Sequence, residues 1–166
     1  EKSQVQLLGS GTILREVEAA AVILLEQFSI AANVWSVTSF NELCRDGFET
    51  ERWNRLNPTA TPRVAYVESQ LANEQGPVVA ATDYMKLYAG QIHAWVPHRY
   101  EVLGTDGFGL SDTRASLRQH FEVDRSYIVL ATLHALQKEG KVKADVVEKA
   151  RVQFSIAADK KPPLYS

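Results

Sequence analysis

Two short apolar runs joined through one amphipathic helix constrain this 166-residue chain more than any other feature. Val5-Gln6-Leu7-Leu8 leads into Gly9-Ser10-Gly11-Thr12, after which apolar residues recur at Ile13, Leu14, Val17, Ala20, Ala21, Leu24, Leu25 and Phe28. That recurrence is one face of a helix, because residues three and four apart share a side. Asn33 to Val37 then reads as a second buried strand. Links this short predict a parallel βαβ unit, since parallel neighbours need a crossover and a helix supplies it.

The alternation continues along the chain. Ser10 or Thr12 is expected to cap the first helix, and Thr38-Ser39 a second from about Phe40, each hydroxyl accepting from a free amide of the first turn. Asn57-Pro58-Thr59-Ala60-Thr61-Pro62 breaks the helix, and Arg63 to Leu71 resumes a helical pattern. A third strand is expected at Val78-Val79-Ala80-Ala81, then a helix capped by Thr82-Asp83 and running toward Trp95, then a fourth strand at Tyr100 to Leu103. Gly104-Thr105-Asp106-Gly107-Phe108-Gly109 must be irregular, because three glycines in six residues disfavour helix and strand alike. Ser111 or Asp112 is expected to cap the next helix, and Asp124 another, whose Ile128 to Leu136 are apolar nearly all round and so buried. A last helix spans about Asp145 to Phe154. The fold class predicted is α/β, one domain over 1–166, in three layers with helices on both faces of a mostly parallel sheet of about five strands.

Charge narrows the function classes. Eighteen basic and twenty acidic residues give a net charge of −2 with no long block of either sign, so no field for nucleic acid or an anionic membrane is implied. No stretch approaches the roughly 20 apolar residues of a spanning helix. Cys44 alone forms no internal disulfide and no paired zinc or redox motif, which favours a reducing, cytoplasmic setting. The first residues carry no signal-peptide pattern. A chain that opens on Glu1 reads as a piece of something longer.

Little in the sequence promises chemistry of its own. Gly9-Ser10-Gly11-Thr12 lies at a strand-to-helix turn where amides attract anions, yet a dinucleotide fingerprint requires Gly where Leu14 stands, and no Walker Lys follows. The expectation is a plain turn, with an anion site as the alternative. Gly109-Leu110-Ser111 begins like a nucleophile elbow, but Thr113 replaces the closing Gly. His93, His98, His120 and His134 are not spaced as a metal cluster. His134 is expected in the core and His98 at the surface or in an interface. The charged segment around Arg52, Trp53 and Arg55 is either a solvated helix face or an interface anchor of the Trp-plus-Arg kind.

Several phrases carry a family resemblance. Leu7-Leu8-Gly9-Ser10-Gly11-Thr12-Ile13-Leu14 and Val34-Trp35-Ser36-Val37-Thr38-Ser39-Phe40-Asn41-Glu42-Leu43 resemble the opening of the transketolase carboxy-terminal domain. Arg45-Asp46-Gly47, Glu51-Arg52-Trp53-Asn54, Thr82-Asp83-Tyr84-Met85-Lys86-Leu87, Leu103 to Gly109 with Ser111, Asp112 and Arg114, and His120-Phe121-Glu122-Val123-Asp124 resemble the homodimeric pyruvate dehydrogenase first component of bacteria. The resemblance runs from about Val5 to Asp159.

It implies a parent enzyme that decarboxylates pyruvate on thiamine diphosphate with magnesium, then reductively acetylates the lipoyl group of a dihydrolipoyl acyltransferase. It places the cofactor between the amino-terminal and middle domains of two subunits, outside this region, so no catalytic, cofactor-binding or metal residue is expected here. Gly104-Thr105-Asp106-Gly107 lacks the spacing of the family's cofactor motif, and no Asn follows Asn73. What remains is an accessory role in dimerisation and complex assembly, with Arg52, Trp53, Arg55, Asp106, Phe108, Ser111, Asp112 and Arg114 as interface candidates. The alternatives are the same domain in a transketolase-type enzyme and a free-standing α/β anion-binding module.

Overall fold

The computed structural model describes residues 4–165, and its centre is a parallel sheet of four strands in the order β2-β1-β3-β4. The strands are β1 (Gln4–Gly9), β2 (Ala31–Ser36), β3 (Val78–Ala81) and β4 (Tyr100–Leu103). Seven α-helices join and cover them: α1 (Leu14–Phe28), α2 (Phe40–Leu56), α3 (Tyr66–Leu71), α4 (Lys86–Gly90), α5 (Arg114–His120), α6 (Arg125–Lys138) and α7 (Ala144–Gln153). Leu7 of β1 lies beside Val34 on one side and Val79 on the other, and Leu8 beside Trp35 and Ala80.

Alternation along β1 sorts its side chains between two layers. Val5 and Leu7 enter a core with Val17, Ala20 and Leu24 of α1, and with Ile128, Val129, Leu133 and Leu136 of α6. Leu8 points the other way, into a core with Phe40 and Cys44 of α2, Val67 and Leu71 of α3, and Ala89, Ile92 and Trp95. Helices therefore cover both faces, as the expected three-layer architecture requires. Cys44 is buried and free.

Buried Gln6 ties the strands together. Its Nε2 donates to the Gln75 carbonyl at 3.0 Å, while its Oε1 accepts from Asn33 Nδ2 at 3.2 Å and from the Trp35 indole at 2.9 Å. A polar side chain with no exposed area is tolerable only with its hydrogen bonds made.

The four strands among the described residues agree with the expected sheet of about five. Several local expectations are corrected. The Ser10 side chain caps nothing; its hydroxyl donates to Thr82 Oγ1 at 2.8 Å. Asp83 to Trp95 is one short helix, α4, and a 3₁₀ turn, because Thr82 Oγ1 accepts from the Tyr84 amide and makes a turn instead of a cap. The cap of α5 is Thr113, whose Oγ1 accepts from the Ser116 amide at 3.3 Å, one or two residues later than expected. Ser39 and Asp124 cap α2 and α6 as anticipated.

Candidate functional site

The carboxyl ends of β1 and β3 meet where the chain order changes direction, since β2 lies to one side of β1 and β3 to the other. Open parallel sheets bind ligands in that crevice. Here a carboxylate stands in it. Thr12 Oγ1 donates to Asp83 Oδ2 at 3.4 Å, and a Cβ added to Gly11 would stand 3.4 Å from Asp83 Oδ1. A carboxylate against the Gly11-Thr12 turn repels the phosphate such turns otherwise attract.

Two turns at this edge are fastened to each other. The Thr105 amide donates to the Tyr84 carbonyl at 2.9 Å, and Thr105 Oγ1 to the Asp83 carbonyl at 2.7 Å. Asp106 Oδ1 accepts from the Lys86 amide at 2.9 Å. Any side chain on Gly104 would strike the Lys86 amide nitrogen and the Tyr84 carbonyl oxygen, each 2.7 Å from its Cβ, so only glycine permits the approach. Beside this junction lies a cleft of about 410 Å³ lined by Thr12, Asp83, Thr105, Leu110, Arg114 and Arg118.

The fastened turns display apolar side chains to solvent. Phe108 is 82% exposed, Leu87 71%, Tyr84 64% and Met85 50%, with Tyr88 and Leu110 nearly half exposed. Tyr84 and Tyr88 rings lie 5.7 Å apart. Large apolar side chains exposed on turns fastened to each other are of the kind that interfaces bury. Asp106, Phe108, Ser111, Asp112 and Arg114 thus share one loop beside the patch. Tyr84, Met85, Leu87, Tyr88 and Leu110 were not among the candidates; Met85 to Tyr88 read as part of a longer helix running toward Trp95. The signal was present: four consecutive residues with three large apolar side chains fit no helical stripe.

Arg52, Trp53 and Arg55 lie elsewhere. They occupy the last turns of α2, a helix of 17 residues and so about 25 Å long, which starts at the carboxyl edge and carries them away from it. The guanidinium of Arg63 covers the Trp53 ring at 3.9 Å, and Asn54 holds the Arg63 backbone through two hydrogen bonds of 2.9 and 2.8 Å. Trp53 is therefore already stacked within its own chain, whereas Arg52 and Arg55 are exposed and have no partner among the described residues.

The histidines serve packing or solvent. A His98 ring nitrogen lies 3.0 Å from the Leu71 carbonyl, and the His93 ring meets Tyr100 edge-on. His134, expected in the core, is exposed: with Lys138 it forms the solvent stripe of α6. The buried carboxylate among the described residues is Glu16, held by Arg118 at 2.9 Å and by Arg125 at 2.9 Å. Hydrogen bonds from Arg125 pull its carboxyl below the usual carboxylate range, outweighing the desolvation that opposes them.

The fold is therefore a three-layer α/β domain, a parallel sheet with helices on both faces and the Asp83 carboxylate at its crevice. Residues 1–124 match the family model for the transketolase-like TK C-terminal domain, and the chain belongs to that family. A split gene transketolase, described as an inactive beta4 tetramer, superposes with a TM-score of 0.53 at 17% identity, over 82% of this chain and 40% of that one. Its similarity shows the shared fold.

Curated relatives are more specific. The pyruvate dehydrogenase E1 component of Pseudomonas aeruginosa is 58% identical over 161 residues, 96% of this chain and 18% of that protein. That of Escherichia coli strain K12 is 55% identical over 163 residues, 98% of this chain and 18% of the relative. The Haemophilus influenzae protein of the same name is 53% identical, over 99% and 18%. The chain spans 18% of the length of each.

Proposed function

We propose that this chain is the carboxy-terminal domain of a pyruvate dehydrogenase first component, and that it contributes interfaces, not reacting groups, to a homodimer in the cytoplasm. The observation that carries this reading is the 58% identity maintained across 161 residues with a protein of that name. The whole enzyme would decarboxylate pyruvate on thiamine diphosphate with magnesium and reductively acetylate the lipoyl group of a dihydrolipoyl acyltransferase. Its amino-terminal and middle domains would hold the coenzyme.

The residues of this region do not fit that coenzyme. Asp83 places negative charge in the crevice where a pyrophosphate would enter, and Asp106 spends an oxygen on the Lys86 amide. Among the described residues no group of three or more His, Cys, Asp or Glu is placed to hold a metal ion, and no helix is long and apolar enough to cross a membrane. The support for an interface role is the exposed apolar patch beside Asp106, Phe108, Ser111, Asp112 and Arg114, with Arg52, Trp53 and Arg55 as a second contact area.

The test compares the longer polypeptide with this chain alone, each given pyruvate, thiamine diphosphate, magnesium and a lipoyl acceptor. Decarboxylation by the longer polypeptide alone is expected. Turnover by this chain unaided, or no pyruvate-dependent turnover by the longer polypeptide, overturns the reading.

A further inference from the structure

One wall of the cleft, built from the loop after β4 and from α5, is anchored firmly at its two ends and lightly between them. At one end Thr105 and Asp106 are bonded to the turn before α4. At the other, Phe121 and Val123 are buried in the core, and Glu122 between them takes left-handed backbone at φ 62°. Gly107 to Leu110 make no hydrogen bond among the described residues, and α5 buries no residue fully, Leu117 packing part-buried against the core. The segment after α7 is what crosses this wall. Lys160 Nζ donates to the Gln119 carbonyl at 3.2 Å, to the His120 carbonyl at 2.7 Å and to Glu122 Oε1 at 3.0 Å, and lies 5.0 Å from the centre of the Tyr127 ring. All three ammonium hydrogens are thereby used, at a helix end where carbonyls otherwise lack donors. Three residues on, the Pro163 carbonyl oxygen lies where a Cβ on Gly107 would stand only 2.7 Å away, so segment and loop meet backbone to backbone.

We propose that residues 160–164 are a strap with the Lys160 ammonium as its latch, and that releasing the latch lets residues 107–120 swing away from the cleft as one unit. The inference concerns a motion within this chain and goes beyond the interface reading. Loss of the ammonium strips a donor from two carbonyls of α5 and the counter-charge from Glu122, at the joint where the backbone is already unfavourable for a residue with a side chain. The swing also breaks the Arg118 bond to Glu16, but Arg125 still holds that carboxylate. A short segment held by polar bonds and little buried apolar area opens at far less cost than the whole domain. Its opening uncovers Ile13 and Leu117, so the strap sets the width of the cleft and leaves the sheet alone.

Hydrogen exchange, followed by mass spectrometry on the longer polypeptide that carries this chain, tests the strap. Lys160→Met removes the charge at similar length, and the amides of residues 114–123 are expected to exchange about tenfold faster while those of β1, β3 and α6 keep their rates. Lys160→Arg keeps a cation within reach of the same carbonyls and should stay within about twofold of the native rate. Gly107→Ala pushes the strap off from the loop side and should speed the same amides. A thiol introduced by Leu117→Cys reads the cleft itself, and its alkylation should be about tenfold faster when Lys160→Met is added. Exchange unchanged by Lys160→Met overturns the proposal, as does a rise shared equally by the sheet. So do equal effects of Lys160→Met and Lys160→Arg, which would deny the charge its role. Faster exchange with the thiol unmoved also overturns it, because α5 would then fray in place without the wall swinging.

Discussion

Glu16 and Arg125, 109 residues apart, are joined by three hydrogen bonds: the Arg125 amide and Nε donate to Oε2 at 3.1 and 2.9 Å, and Nη2 to Oε1 at 3.1 Å. Arg118 adds a fourth contact, Nη1 to Oε1 at 2.9 Å. One carboxylate on α1 thus fixes the end of α5 and the start of α6. Burial alone would raise its pKa, and the two guanidiniums reverse the sign.

Stability should therefore depend on pH through Glu16. Its pKa is lower folded than unfolded, so the contribution is complete above the unfolded value, near 4.3, and is lost as pH falls through the lower folded one. Urea unfolding of the native chain and of Glu16→Gln should differ by about 2 kcal/mol at pH 7, converging as acid is added. A difference that is constant with pH would contradict the assignment.

Gln6→Leu is expected to cost about 3 kcal/mol despite its better hydrophobicity. It strips acceptors from the Trp35 indole and the Asn33 amide, and a donor from the Gln75 carbonyl, in a part-buried setting. Denaturant midpoints measure the loss, and Trp35 fluorescence should report the freed indole.

Gly47→Ala sets helix propensity against space. In an open helix the change gains up to about 1 kcal/mol. A Cβ here would overlap the Trp95 ring, which is buried with its indole bonded to Glu51 at 2.9 Å, so space wins. A net loss of about 2 kcal/mol is expected, read by thermal unfolding and by a shift in Trp95 emission.

Gly76 and Gly140 share left-handed backbone, at φ of 82° and 72°. A Cβ on Gly140 meets open space, and Gly140→Ala should lose only about 1 kcal/mol. On Gly76 it would overlap the Gln4 carbonyl oxygen, at the head of β1. Gly76→Ala should therefore lose several-fold more in the same denaturation experiment, and equal losses would contradict the packing.

Cys44 should resist thiol reagents in the folded chain, being only 6% exposed in the core beside Phe40 and Trp95. Its modification rate is expected to follow global unfolding and to rise with urea accordingly.

Sheet and layers were legible because their determinants are local. Val78–Ala81, an unbroken apolar run, and Tyr100–Leu103, apolar apart from Glu101, were read with their observed bounds because turn residues flank them. Ser39 and Asp124 were legible as caps because an Asx or Ser side chain acts within three residues. What failed depended on partners distant in sequence. Thr82 looked like a helix cap, but its Oγ1 accepts from the Tyr84 amide in a turn and from Ser10, 72 residues earlier, across the sheet. His134 looked buried because the helix around it is apolar, and only the packing of α6 on α1 and α7 shows which stripe faces water. Glu16 gave no hint, since its two arginines lie more than a hundred residues away. The Asp106 to Arg114 loop was singled out from its phrase, but the exposed α4 side chains emerged only when the expected helix proved to be five residues long.

Asp83 has one more consequence. Its carboxylate, hydrogen-bonded to Thr12, confronts any phosphate entering this end of the sheet with a like charge, at the place where related architectures admit their small molecules.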